Sequence, residues 1–493
     1  MNNFFTASEW EGMHEKYDIK KLKEMDYLVI DRLLNFEVFR DDDYKIKGKI
    51  MAEKTDIAKG DTNYYENHQA GEIVEYTNLT GSNSYGTVTY IIDQCLITAR
   101  NSQYTNLGEN PVEKLVIEFS ASQVLKQYHG NKSNTEILID WYINGPDISF
   151  PSSTERQFIS TTKRKRSNID PDYHLVNRQK QNSSSRDCAI VEYNGMKFIV
   201  FAVLKDIGPE WSHNIGVEYR REWGIPNETE RKAIAEILSF AFGGQLLNVG
   251  STEYDSDYNP LKEISVNPWG KNVVSRCKES KTSPVGFYYT DIAFKMEDIL
   301  NHLVKKYLAL RESLKLNSVL SRYWIAKDMP LGTNLPVLAS GLEVLVDSWF
   351  KSSISKNKGI HIDKDTYWVM IEDELSSLSL KLDNYPFKEK ILNKLKFAYN
   401  MGVNEKKEKF FEEINLPINI NDKKALRARN DMAHGSTIKS EKDIIKTLRS
   451  SRTYETLFER TILKILDYDG IYIDKSVKGW PARYMGDTPE EGC

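Results

Sequence analysis

The spacing of apolar residues changes period once along this chain, near Met296, and that change constrains the fold more than any other feature. Before it, apolar and polar residues alternate over short β-branched runs, the pattern of half-buried strands. After it, apolar residues recur every three to four positions, as on one face of a helix. The 493 residues suffice for at least two cores at ~150 residues per domain. The pattern predicts an α+β multidomain protein. A β-rich N-terminal region, sandwich or barrel-like, spans residues 1–290, an all-α bundle spans 296–475, and 476–493 form a C-terminal tail. The boundary falls between Pro284 and Met296.

In the first region the predicted strands are Gly71–Tyr76, Gly86–Ala99, Glu113–Ser120, Glu136–Ile143, Cys188–Tyr193 and Met196–Val203. Asn194-Gly195 between the last two predicts a hairpin, because a tight turn there needs positive φ angles. Ser152–Arg186 reads as a polar loop with the run Lys163-Arg164-Lys165-Arg166. Such a run either touches phosphates or is a solvated face, and the solvated loop is the preferred reading. Asn227–Gly244 reads as a helix packed on a sheet. Asn227 is its N-cap, Glu230 follows three residues later, Ile234, Ile237, Leu238 and Phe242 form its apolar face, and Gly243-Gly244 end it.

Beyond Met296 six helices are predicted. Ile299, Leu303, Tyr307 and Leu310 mark the first, and Leu335–Phe350, Ile371–Leu382, Phe387–Tyr399, Lys423–His434 and Glu441–Leu466 follow.

Composition excludes several classes. Glycine (27), proline (15) and cysteine (4) are too few for collagen-like or disulfide-scaffold chains. The longest apolar run, Phe198–Leu204, is far short of the ~20 residues of a membrane-spanning helix. MNNFFTASEWEG lacks the basic-then-apolar order of a signal peptide, so a cytoplasmic location is expected. Cys95, Cys188, Cys277 and Cys493 stand far apart without metal-ligand spacing, so no metal or other cofactor is expected and buried or incidental thiols are the preferred reading. The net charge of −4 is not that of a protein coated in nucleic acid, so any RNA would meet a local patch.

One such patch lies inside the bundle. Lys423, Lys424, Arg427 and Arg429 place four cations in seven positions, and His434-Gly435 follows at the predicted helix end. On an ideal helix Arg427 and His434 share a face, and Asn430 and His434 are an i,i+4 pair. Arg429 lies ~140° round from His434. It either swings back toward His434 or serves a facing helix. A histidine at a helix C-terminus favours its protonated form and titrates near neutrality. An arginine beside it can hold a phosphate and stabilise developing charge. With RNA as substrate the 2′-hydroxyl is a built-in nucleophile, so an Arg–His pair suffices for strand cleavage. The plainer alternative is an exposed helix end capped by His434.

Arg429-Asn430-Asp431-Met432-Ala433-His434 resembles the R-X4-6-H motif of HEPN ribonucleases. Ala339-Ser340-Gly341-Leu342-Glu343-Val344-Leu345 resembles the early HEPN helix that carries a Leu-Glu pair. Leu466-Asp467-Tyr468-Asp469-Gly470-Ile471-Tyr472 resembles the closing segment of ApeA-like HEPN domains, a family of bacterial anti-phage abortive-infection proteins. The resemblance implies an all-α HEPN bundle with Arg429 and His434 as the catalytic pair and Asn430 orienting them or the phosphate. It implies a homodimer with facing motifs and metal-independent cleavage of RNA, tRNA above all, to 2′,3′-cyclic phosphate and 5′-hydroxyl ends. Glu343 would either position Arg429 or pack its helix. Lys423, Lys424 and Arg427 are candidate phosphate contacts from charge and spacing alone, and a solvated helix start is equally consistent. Tyr468 and Tyr472 would stack on a base or pack the last helix.

In this reading the β-rich half senses a phage-derived trigger or restrains the nuclease. Two other readings stand beside it. One is a catalytically silent RNA-binding or oligomerisation module. The other gives the N-terminal half its own ligand cleft, with Trp211, His213 and Tyr219 as candidate lining residues.

Overall fold

The computed structural model describes residues 10–14, 16–25, 32–54, 77–107, 110–130, 133–165, 174–204, 207–355, 359–433 and 440–487. The N-terminal region is β-rich and the C-terminal region α-helical. The chain divides into two compact units. One comprises Met1–Arg231, Phe242–Thr282 and Phe287–Asn301, the other Lys232–Ala241, Ser283–Gly286 and His302–Cys493. The division is therefore not a single cut in sequence.

The first unit contains β1 (Tyr17–Asp18), β2 (Lys21–Met25), β3 (Arg32–Arg40), β4 (Ile46–Lys54), β5 (Thr77–Ser82), β6 (Val88–Leu107), β7 (Asn110–Ser120), β8 (Gln123–Tyr128), β9 (Ile137–Ile143), β10 (Ser152–Lys165), β11 (His174–Tyr193), β12 (Met196–Ala202), β13 (Ile215–Arg220), β14 (Leu247–Tyr254) and β15 (Pro260–Val266). Among the described residues their ladders run β1-β3-β4-β7-β6-β8-β15-β14-β9-β13-β12-β11-β10, with β5 also on β6 and β2 on β5. Long β6 serves two neighbourhoods. Its first part, Val88–Asp93, pairs with β8, and its later part, Leu96–Leu107, with β7. Gln94 between them takes a left-handed φ of 53°, which reorients the strand.

One core gathers Phe36 and Val38 of β3, Ile46 and Ile50 of β4, Ile92 of β6 and Leu115, Ile117 and Phe119 of β7. A second lies around β9, whose seven residues are all buried. Alternate residues point to opposite faces, so both faces of β9 are buried, which explains why it reads as a nearly unbroken apolar run; β13 and β14 pair with its two edges. Buried Asp140 interrupts the run and is paired with Arg231 at 2.9 Å.

The turn after β11 is the tight one that Asn194-Gly195 predicts, with φ angles of 47° and 83°. Helix α1 (Glu228–Phe242) starts where its cap predicts, Asn227 Oδ1 accepting from Glu230 N at 3.0 Å. Two short helices, α2 (Val273–Lys278) and α3 (Thr290–Ala293), follow, then α4 (Met296–Leu310). The polar stretch Ser152–Arg186 is not a loop. Its described residues form β10 and most of β11, a long two-stranded ribbon. Period-2 apolar alternation could not reveal it, because almost nothing in it is apolar. The predicted strand Gly71–Tyr76 and Arg166 of the basic run lie outside the described residues.

The second unit is built from α5 (Leu316–Lys327), α6 (Asn334–Lys351), α7 (Lys364–Lys381), α8 (Lys388–Lys396), α9 (Val403–Glu413), α10 (Ile420–Ala433), α11 (Glu441–Ile465) and the strand pair β16 (Ile471–Ile473) and β17 (Ala482–Tyr484). Counting α4, eight helices follow Met296 among the described residues, against six predicted; α5 and α9 are the additions. The stretch expected to be a tail contains β17. Just before it, the buried Lys475 ammonium sits 3.0 Å from Glu455 and in contact with Glu459, fastening the chain after β16 to α11. Tyr323 of α5 donates to the same Glu459 carboxylate. Gly341 of α6 lies against the Phe458 ring of α11, where an added Cβ would come within 3.1 Å. Glycine there lets the two helices approach closely.

Candidate functional site

The site is centred on α10, and its start is fixed locally. Asn419 Oδ1 accepts from Asp422 N at 2.8 Å, and Asp422 Oδ2 accepts from Asn419 N at 3.1 Å, a reciprocal cap. Arg460 of α11 reinforces it. Its guanidinium, almost wholly buried, lies 3.3 Å from Asp422 and donates to Pro417 O at 2.6 Å. Burial raises the Asp422 carboxyl above its ordinary value, and Arg460 opposes that shift.

Helical phase then sorts the cations of α10. Asp422, Ala425 and Arg429 fall within ~60° of one another on an ideal helix, whereas Lys423, Lys424 and Arg427 occupy the opposite side. The burial follows the phase. Asp422 and Ala425 are buried, Arg429 is half-buried, and Lys423, Lys424 and Arg427 are exposed. Among the described residues none of these three exposed cations has an acidic partner.

Arg429 turns inward to a facing helix. Its Nη2 contacts Glu343 Oε1 of α6, and Lys407 Nζ of α9 approaches the same oxygen at 3.0 Å. One carboxylate thus holds two cations from two helices. Lys407 is 4% exposed, and this burial pulls its ammonium below the usual lysine range; Glu343 opposes the shift and the Arg429 charge adds to it. Tyr454 of α11 is fully buried nearby. Burial and the Glu343 charge raise its phenol well above the tyrosine range, with Arg429 opposing. Four helices therefore converge on one partly enclosed group of charges.

Of the predicted residues, the structure brings Arg429 and Glu343 together. Glu343 contacts Arg429 and Lys407 through one carboxylate oxygen. Lys423, Lys424 and Arg427 form a separate, outward group. Asn430 lies on α10, with its side chain outside the described set, and His434 and Gly435 are outside it altogether. Tyr468 and Tyr472 are buried at 6% and 2% exposure, and the Arg460 guanidinium lies 5.3 Å from the Tyr472 ring. They pack the end of the bundle and present no face to a base. Lys407 was missed by the sequence reading. Its one signal is its position three and four residues before Phe410 and Phe411, which are also buried.

The N-terminal candidates do not form a common site. Tyr219 is buried in β13 against Phe198, while Trp211 packs edge-on to Tyr44 and half-exposed His213 stands 3.7 Å from Asp147. Cys95, Cys188 and Cys277 are buried free thiols, and burial pushes Cys95 up to about 12. Cys493 lies outside the described residues. Among the described residues no group of three or more His, Cys, Asp or Glu side chains is arranged to hold a metal ion, and no helix is long and apolar enough to cross a membrane. Comparison of the chain with protein-family models, with curated proteins and with solved structures finds no match.

Proposed function

We infer that this chain is an RNA endonuclease of the HEPN kind that resembles the ApeA-like family and acts in anti-phage abortive infection. The observation that carries the reading is the anchored arginine: Glu343 fixes Arg429 within the one segment whose sequence carries the R-X4-6-H pattern. Among the described residues only Nη2 of that guanidinium is engaged, so Nη1 and Nε remain for a phosphate oxygen. The exposed side of the same helix offers Lys423, Lys424 and Arg427 to the RNA backbone.

The chemistry follows from these groups and His434. The imidazole takes the proton of a ribose 2′-hydroxyl as its oxygen attacks the adjacent phosphorus. Arg429 stabilises the charge on the non-bridging oxygens. The bond to the 5′-oxygen breaks, a proton is delivered to that oxygen, and the products carry 2′,3′-cyclic phosphate and 5′-hydroxyl ends. Asn430 orients the pair or the phosphate. No metal is needed, because the nucleophile belongs to the substrate. Arg429 and His434 lie ~140° apart on an ideal helix, and a homodimer with facing motifs would set each Arg429 beside the partner's His434. tRNA is the proposed substrate and the cytoplasm the proposed location. The β-rich unit is proposed to restrain the nuclease or to receive a phage-derived trigger.

The test is cleavage of total tRNA in EDTA by wild type and His434→Ala, with end-group analysis and a parallel arm in extract of phage-infected cells. Cyclic-phosphate ends from wild type alone support the reading. Cleavage that survives the substitution removes the site assignment. RNA binding without cleavage in either arm favours the silent binding module.

A further inference from the structure

The β10–β11 ribbon is the largest feature the proposed chemistry leaves unused. From Ser153 to Lys165 it is an uninterrupted antiparallel ladder ending at Lys165↔His174. Beyond Cys188, where β11 leaves β12, the two strands pair only with each other among the described residues. At ~3.3 Å per residue this gives an arm on the order of 40 Å long and two strands wide.

An isolated two-stranded ribbon is marginal in water. The sequence of this arm shows what it carries. Between Arg156 and Ser185 stand seven Lys or Arg residues and two Asp, in a chain whose net charge is −4. Both aspartates, Asp170 and Asp172, lie outside the described residues. The ladder also sorts the cations. Residues paired across an antiparallel ladder share a face, and so do alternate residues along each strand. Thr161↔Arg178, Lys163↔Val176, Lys165↔His174 and Ile159↔Lys180 are such pairs. By register, positions 163, 165, 178 and 180 therefore fall on one face of the ladder, as does position 174. The other face carries Arg164 and Arg156, and Arg156 is paired with Asp187 at 3.0 Å. The remaining positions are mostly Ser, Thr, Asn and Gln, the neutral residues that also contact phosphate and sugar.

Protection of an exposed strand edge explains one or two charges on a ribbon, of either sign. It does not explain four cations on one face whose single acid, Glu155, stands near the start of the ladder. We propose that the β10–β11 ribbon is an RNA-binding arm that follows the phosphate backbone through Lys163, Lys165, Arg178 and Lys180. The choice of RNA among polyanions rests on the nuclease reading above. The arm itself rests on register and charge.

The test uses the full chain with Lys163, Lys165, Arg178 and Lys180 all replaced by Gln. It also uses two half-variants, Lys163→Gln with Lys165→Gln and Arg178→Gln with Lys180→Gln, in case the fourfold change alters folding, which circular dichroism and the melting temperature would report. The probe is a fluorescently labelled RNA hairpin titrated at several salt concentrations, with a DNA duplex of equal length as comparator. The fourfold variant should bind at least tenfold more weakly, and its log–log salt slope should fall by about 3, each half-variant losing roughly half of that. Lys→Arg replacement at Lys163, Lys165 and Lys180 should restore binding. Unchanged affinity and slope in a folded variant overturn the proposal, as does preference of the wild type for the DNA duplex. Failure of the nuclease reading is seen separately. His434→Ala should keep ribbon-dependent affinity, and ribbon-dependent binding in a chain that never cuts RNA would retain the arm and discard the catalytic site.

Discussion

Glu343 Oε1 is shared by Arg429 of α10 and Lys407 of α9, two cations 22 positions apart that are held by one carboxylate of α6. The carboxylate screens the two cations from each other and fixes the direction of the arginine. Lys407 is the more enclosed partner, so loss of the acid falls hardest on it.

Glu343→Gln keeps the shape and removes the charge. Two cations then face a neutral amide, one of them buried. The expected loss of stability is about 1–3 kcal/mol, read from a denaturant midpoint at unchanged slope. RNA cleavage should fall further than the stability loss explains, because Arg429 loses its anchor. Lys407→Met separates the two effects: it removes the buried ammonium, leaves Glu343 to Arg429, and should change cleavage little. Equal cleavage by Glu343→Gln and wild type under conditions where both are folded would show that the acid only packs its helix.

Arg460 is the next charge whose loss is informative. It is 1% exposed, lies 3.3 Å from Asp422 and stands over the Tyr472 ring. Arg460→Ala strands a buried carboxylate that burial already disfavours, at about 3–5 kcal/mol. Combining it with Asp422→Asn should recover part of the loss. A double variant as unstable as the sum of the singles would mean the two residues do not act as a pair.

How much of this was legible in sequence depends on what each element buries. The α10 and α11 patterns, the Asn227 cap and the Asn194-Gly195 turn were readable because local chemistry dictates them. Helix α5 was missed although Leu316, Val319, Leu320 and Tyr323 are spaced as a helix and all are buried. Helix α9 was nearly illegible, since one of its three buried residues is Lys407. The ribbon was misread because strand patterning is read from alternating apolar residues and the ribbon has few. At the site, the sequence set Arg429 ~140° from His434 but grouped it with the other cations, and only burial separates it from them. Its partner Glu343 lies 86 positions away, and only the packing of α6 against α10 joins them.

Glu11 offers a test of the first unit. It is wholly buried and accepts hydrogen bonds from Arg40 at 2.6 Å, Ser265 at 2.7 Å, and Tyr44 and Met13 N at 3.0 Å each. Burial disfavours its charge, but Arg40 and these donors outweigh that and hold the carboxyl below its usual value. Glu11→Ala leaves the enclosed Arg40 unpaired and should cost about 3–5 kcal/mol, seen as a large drop in melting temperature. Glu11→Gln, which keeps the shape, should cost less. A loss under 1 kcal/mol for the alanine variant would contradict the network.

Asp140 predicts a pH dependence of opposite sign. Burial lifts its carboxyl from the usual 3.8 to about 6, and the Arg231 ion pair limits the rise. Below pH 3.8 both folded and unfolded states hold the proton. Between there and about 6 the unfolded chain has released it while the folded chain still binds it, so each step upward in pH favours unfolding. The contribution of this group is therefore full in acid and lost as pH rises through about 6, a change of roughly 2–3 kcal/mol. Glu11 moves the other way, its stabilisation vanishing as pH falls, so the melting curve of the wild type mixes the two. Asp140→Asn isolates one of them. The wild type should be favoured over this variant most at pH 4 and least at pH 7, with the gap narrowing through the intervening range. Melting temperatures of both proteins across that range measure it. A gap that stays constant with pH would mean that Asp140 is ionised throughout and that Arg231 fully offsets its burial.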